Sequence, residues 1–117
     1  MEFPLFSKSL FAPACYLEHH VEHFPTSATM NGDKHSTLHY FFTLAMQHSG
    51  IWVGTGLMPS NAKSAKRDDV NYVGSSAGAM MTTPSDASAD EVNSGDLETA
   101  RLYGERIARI AGAFHPK

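Results

Sequence analysis

From Gly54 to about Asn93 the chain runs for about forty residues in which glycine, serine, alanine, asparagine and proline outweigh any sustained period. A connection of that length without strong elements is uncommon in a compact domain, and is more often functional than decorative. Regular structure must therefore come from the flanks. On the amino-terminal side, Leu38, Phe41, Phe42, Ala45 and Met46 recur at spacings of three and four within Asp33 to Gln47, which predicts a helix with one apolar face. Ser49-Gly50 supplies its terminator, with the glycine free to take a left-handed cap. Ile51-Trp52-Val53, closed by Gly54, then predicts a short buried strand of a parallel sheet. On the carboxyl-terminal side, Ser94-Gly95-Asp96 predicts a second helix start with Asp96 as N-cap and Glu98 near the positive end of the dipole. Leu97, Ala100, Gly104, Ile107, Ala108 and Ala111 form a small, apolar stripe along it.

This alternation implies an α/β class with a parallel sheet covered by helices. One strand makes no sheet, so Pro4 to Phe11, Tyr16 to Phe24 or Val70 to Val73 would have to contribute others. A chain of 117 residues is one domain by length. Its net charge of -3, with no basic cluster beyond Lys63, Lys66 and Arg67, leaves no footprint for nucleic acid. The single Cys15 has no partner for a disulfide or a CxxC pair, which fits a reducing cytoplasm. Glu2 and Lys8 break any signal-peptide pattern, Ala12-Pro13-Ala14-Cys15 is only faintly like a lipoprotein site, and no run reaches the ~20 apolar residues of a membrane span.

Two neighbouring stretches offer chemistry. His19, His20, Glu22 and His23 fit H-x-x-E-H, a spacing that suits zinc on a helix. Pro25 ends any such helix, and no downstream carboxylate forms a third-ligand motif. A solvated polar face is the plainer reading, and no metal is expected. Thr26-Ser27-Ala28-Thr29-Met30-Asn31-Gly32 is a hydroxyl-rich, glycine-ended loop running into a helix start. Such a loop can approach a flat heteroaromatic ring and hydrogen-bond its heteroatoms. The spacing alone is met more simply by an N-cap loop, with Thr29 or Asn31 as the cap. His48 reads as a helix C-terminal histidine, Trp52 as core, Met80 and Met81 as loop packing, and Lys63, Lys66 and Arg67 as a solvated face.

Three stretches read together go further. TSATMNGDKHSTLHYFFTLAMQHSGIWVGTG, from Thr26 to Gly56, resembles the fourth-strand loop, following helix and fifth strand of the flavodoxin-like NAD(P)H-dependent FMN reductases, including the tetrameric quinone oxidoreductases of the tryptophan-repressor-binding-protein type. NYVGSSAG, Asn71 to Gly78, is similar to the glycine-rich segment after that strand. GDLETARLYGERIARIAGAF, Gly95 to Phe114, is similar to the closing helix. The resemblance covers about Phe24 to Phe114. It implies a three-layer α/β flavodoxin-like fold, FMN at the carboxyl ends of the strands, and reduction of a quinone or similar small-molecule acceptor by NAD(P)H. It also implies that Thr26, Ser27, Ala28, Thr29, Met30, Asn31 and Gly32 border the flavin, and that His48, or Gln47 one residue away, reaches it from another copy in a homo-oligomer. Tyr72 to Gly78 would line the substrate side or a subunit interface.

The departures lie before Thr26. Family members are longer and open with a glycine-containing loop for the FMN phosphate, whereas no glycine precedes Gly32 here. Residues 1–24 are therefore expected to be a divergent segment, and residues 25–117 the C-terminal half of a flavodoxin-like domain. An FMN-dependent oxidoreductase, truncated or divergent, is the leading expectation. A non-catalytic fragment or oligomerisation module without FMN is the alternative. Lost inner strands would leave sheet edges and helix faces uncovered, which predicts a chain that is poorly stable alone or assembles with other copies.

Overall fold

In the computed structural model, residues 24–114 are described. The H-x-x-E-H pattern at His19, Glu22 and His23, Cys15, the candidate strand at Pro4 to Phe11, and all but the last residue of the candidate strand at Tyr16 to Phe24 lie outside them. Two helices and a parallel pair of short strands follow the order β1 (Thr26–Ser27), α1 (Lys34–Gln47), β2 (Met81–Thr82), a single 3-10 turn (Ala89–Glu91) and α2 (Ser94–Phe114). β1 and β2 pair in register Thr26 with Met81 and Ser27 with Thr82. The pair is extended by Met81 N–H donating to the Pro25 carbonyl and Thr83 N–H to the Ser27 carbonyl. The fold is α/β with a parallel sheet, as the alternation of patterns implied.

α1 begins where Asp33 takes a left-handed φ of 49° and the Asp33 N–H donates to Asn31 Oδ1. Asn31 thus serves the helix start through a tight turn, and Asp33 rather than Thr29 or Asn31 occupies the cap. At the other end Ser49, with φ 58°, is the left-handed residue, and not Gly50. The Gly50 N–H reaches the Ala45 carbonyl at 2.7 Å and the Ser49 N–H the Met46 carbonyl. That double closure is the Schellman arrangement, which satisfies carbonyls the helix leaves unpaired. Leu38 and Ala45 are buried, while Phe42 and Met46 of the predicted stripe, with Tyr40 beside it, remain exposed.

The predicted strand at Ile51 to Val53 is not one. Ile51 is 50 % exposed, and the segment makes one backbone bond to a neighbouring stretch, Thr55 N–H to the Ser76 carbonyl. Side chains hold it instead: Trp52 Nε1 donates to the Ala77 carbonyl, Tyr103 OH to the Val53 carbonyl, and Arg106 Nε to the Gly54 carbonyl. The segment rests against α2 through Tyr103 and Arg106, but no neighbouring segment supplies a ladder. Residues 70–73, the other possible strand, form turns, with Asn71 at a left-handed φ of 53°.

The core is small: Ala79, Ala100, Tyr103 and Ile107, flanked by Phe24 and Val53. α2 therefore presents its predicted stripe only in part, since Leu97 is 51 % exposed and Ala108 faces solvent. Its N-terminal residue pattern also differs from expectation. Asn93 Oδ1 accepts from Gly95 N–H and Asp96 N–H, so Asn93 caps the helix, and Asp96 is released for another partner.

Candidate functional site

The loop Thr26 to Gly32 starts on β1 and ends at the first turn of α1, at the carboxyl end of the parallel pair. Ala28, Thr29, Met30, Asn31 and Gly32 are exposed and Ser27 is half-buried. Gly32 is needed for a local reason. It sits at φ 50°, and a Cβ there would meet Ser27 Oγ at 2.0 Å.

What holds the loop is a residue that sequence reasoning passed over. Lys34, in the first turn of α1, is 2 % exposed. Its Nζ donates to Ser27 Oγ at 2.8 Å, the Thr29 carbonyl at 2.9 Å, the Met30 carbonyl at 3.0 Å and Thr82 Oγ1 at 3.0 Å. Ser27 Oγ in turn donates to the Thr29 carbonyl. Desolvation pulls the Lys34 pKa below the ordinary lysine value, while the Asp96 carboxylate works the other way.

A trans peptide points each carbonyl opposite to the N–H of the next residue. All peptides of the described residues are trans. With the Thr29 and Met30 carbonyls drawn inward to Lys34, the N–H groups of Met30 and Asn31 face outward. Neither donates to any other described residue. An exposed loop offering outward N–H donors from a short, glycine-ended turn fits a planar ring bearing oxygen and nitrogen acceptors, so the residues present suit a flavin ring. Hydroxyls at Thr26 and Thr29 add further polar groups beside them.

Behind the loop lies a second polar cluster. Asp96, 2 % exposed, takes both arms of the Arg67 guanidinium, at 2.7 and 2.5 Å, and also accepts from Thr82 N–H at 2.9 Å. Arg67 further donates to Asn93 Oδ1 and the Thr82 carbonyl, and lies 6.0 Å from the Tyr72 ring centre. Arg67 is thus an internal anchor and not part of a solvated face; its pairing with Asp96 raises its pKa. Lys63 and Lys66 are exposed, as expected.

The segment Asn71 to Gly78 is built around Asn71, whose side chain donates to the Leu57 and Ser75 carbonyls and accepts from Ser75 N–H. Ser75 Oγ donates to the Gly78 carbonyl and Asn71 N–H to Thr99 Oγ1. The last of these pins the segment to α2. His48 lies elsewhere. It is the C-cap of the fourteen-residue α1, so about 20 Å of helix separates it from the loop at ~1.5 Å per residue. One copy of the chain does not bring the two together. Among the described residues no group of three or more His, Cys, Asp or Glu could hold a metal, and no described helix is long and apolar enough to cross a membrane.

No family model matches the chain, and no solved structure matches it. Among curated proteins it is similar to "Flavodoxin FldP" of Pseudomonas aeruginosa (strain UCBPP-PA14), at 50% identity over 92 residues. The match takes in 79% of this chain and 50% of that protein. The chain spans about half the length of the curated relative it matches.

Proposed function

We propose, for a chain that is a partial flavodoxin-like α/β fold with a parallel sheet, that it serves as the ring-binding part of an FMN-dependent redox protein. The outward N–H groups of Met30 and Asn31, set by Lys34, carry this reading. Thr26, Ser27, Ala28, Thr29, Met30, Asn31 and Gly32 border the ring, donating hydrogen bonds to its acceptors and keeping water from that edge. When bound, FMN supplies the electron chemistry. The chain's own residues orient the ring and tune how readily it is reduced.

Similarity to a flavodoxin supports electron transfer in the broad sense. The narrower proposal is an NAD(P)H-dependent reductase acting on a quinone or similar acceptor in a cytoplasmic homo-oligomer, with His48 approaching the flavin from a second copy. A second reading, an assembly module without FMN, is favoured by the exposed Tyr40, Phe42, Met46 and Ile51.

Titration of FMN into the purified chain, followed by flavin fluorescence, tests the proposal. Saturation at micromolar levels, about -8 kcal/mol, is expected, with loss in Gly32→Ala. Oxidation of NAD(P)H coupled to quinone reduction by the loaded protein then supports the reductase over the carrier. No saturation up to about millimolar, about -4 kcal/mol, overturns FMN binding and leaves the assembly reading.

A further inference from the structure

Lys34 presents a feature that structural support of a loop does not require. A neutral amine would serve two acceptors, whereas an ammonium offers three N–H groups. Here four acceptors converge on Nζ, and none of them brings a negative charge: two backbone carbonyls and two hydroxyls. That surrounding holds the amine protonated against the cost of burial. The nearby carboxylate, Asp96, is already engaged by both arms of Arg67 and by Thr82 N–H. Arg67 is balanced by Asp96 and by the nearby exposed Asp68, so the Lys34 ammonium is the buried positive charge that lies directly against the loop.

Each contact also has a place in the fold. Ser27 ends β1, Thr29 and Met30 form the exposed turn, and Thr82 ends β2. One buried group therefore ties both strand ends to the turn, and through Thr82 joins it to Asp96 of α2 and the Arg67 paired with it. Removing the ammonium would free two carbonyls to swing outward, and each would carry the following N–H inward with it.

We infer that Lys34 is a positioning residue for a flavin ring, which both aims the Met30 and Asn31 N–H donors and places a buried positive charge behind the loop that favours the anionic, two-electron-reduced ring. This rests on the FMN-binding reading above. A charge in a site of low dielectric acts on its neighbours more strongly than one in water, so the reduction potential of bound flavin reports the charge, and affinity reports the geometry.

The test uses the full chain and Lys34→Met, which keeps a similar length without donors or charge. FMN and riboflavin are titrated into each, and the midpoint potential of the bound flavin is measured against a reference dye. Both flavins are expected to bind about tenfold more weakly to Lys34→Met, by similar factors because the contact is to the ring and not to the phosphate, and the potential is expected to fall. Unchanged potential with unchanged riboflavin affinity in the folded variant overturns the inference while FMN binding stands. Failure of the unsubstituted chain to bind either flavin removes the FMN reading, and this inference with it. Should Lys34→Met not fold, amide exchange in the unsubstituted chain decides: the Met30 and Asn31 amides are expected to slow when riboflavin binds, and equal exchange with and without it overturns the inference.

Discussion

At the scale of single residues, stability rests on a few buried polar groups rather than on a broad apolar core. Asp96 is bound by Arg67 and by Thr82 N–H, with Arg67 itself 30 % exposed along its side chain. Asp96→Ala strands a guanidinium and a backbone donor, and is expected to cost about 2–4 kcal/mol by urea unfolding; Asp96→Asn, which keeps one acceptor, should cost less. Gly95 lies so close to Asp68 that a Cβ would meet its carbonyl oxygen at 2.6 Å. Gly95→Ala must push backbone apart, and a loss of at least about 1–3 kcal/mol is expected in the same assay. None of this was legible in sequence. Arg67 and Asp96 stand 29 positions apart, and no local pattern marks either as the other's partner. Lys34 was hidden differently: a lysine in a first helical turn reads as solvent-facing until its neighbours are known.

At the scale of elements, both helices were readable because the 3.6-residue period and the terminators are local properties. Their caps were read less well, since adjacent residues compete for one role. Asn93 took the cap assigned to Asp96, and Ser49 took the left-handed position assigned to Gly50. Ser49→Gly relieves a left-handed backbone cost of about 1–2 kcal/mol, and is expected to raise the thermal midpoint. Asn93→Ala is expected to cost about 1 kcal/mol or more, since Asn93 also meets Arg67 and Asp68. The segment at Ile51 shows the opposite limit. Its residues favour extended chain, but a strand needs a partner that composition cannot supply, and none forms here.

At the scale of the molecule, α1 keeps His48 and the Thr26 to Gly32 loop at opposite ends, so one copy cannot bring the two together. The loop's entry into a helix start was legible from its residues, and so was its separation from His48, since the predicted helix Asp33 to Gln47 stands between them; its place at the end of a parallel strand came only with the resemblance. Complementation tests the proposed sharing. Mixed assemblies of Gly32→Ala and His48→Ala chains are expected to recover part of the flavin binding that each lacks alone, with sedimentation confirming that the two associate. Separate chains that fail to complement while each still associates would place His48 outside the site.

The pairing of Thr26 with Met81 and Ser27 with Thr82 joins points separated by about half the chain. Closing so large a loop costs entropy before the contact returns any stabilisation. The two strands and the turn between β1 and α1 are therefore expected to assemble late in folding. A chain emerging from the ribosome meets Met81 long after Thr26, so the turn between β1 and α1 is expected to stay open to proteases and to stray partners until β2 has been made.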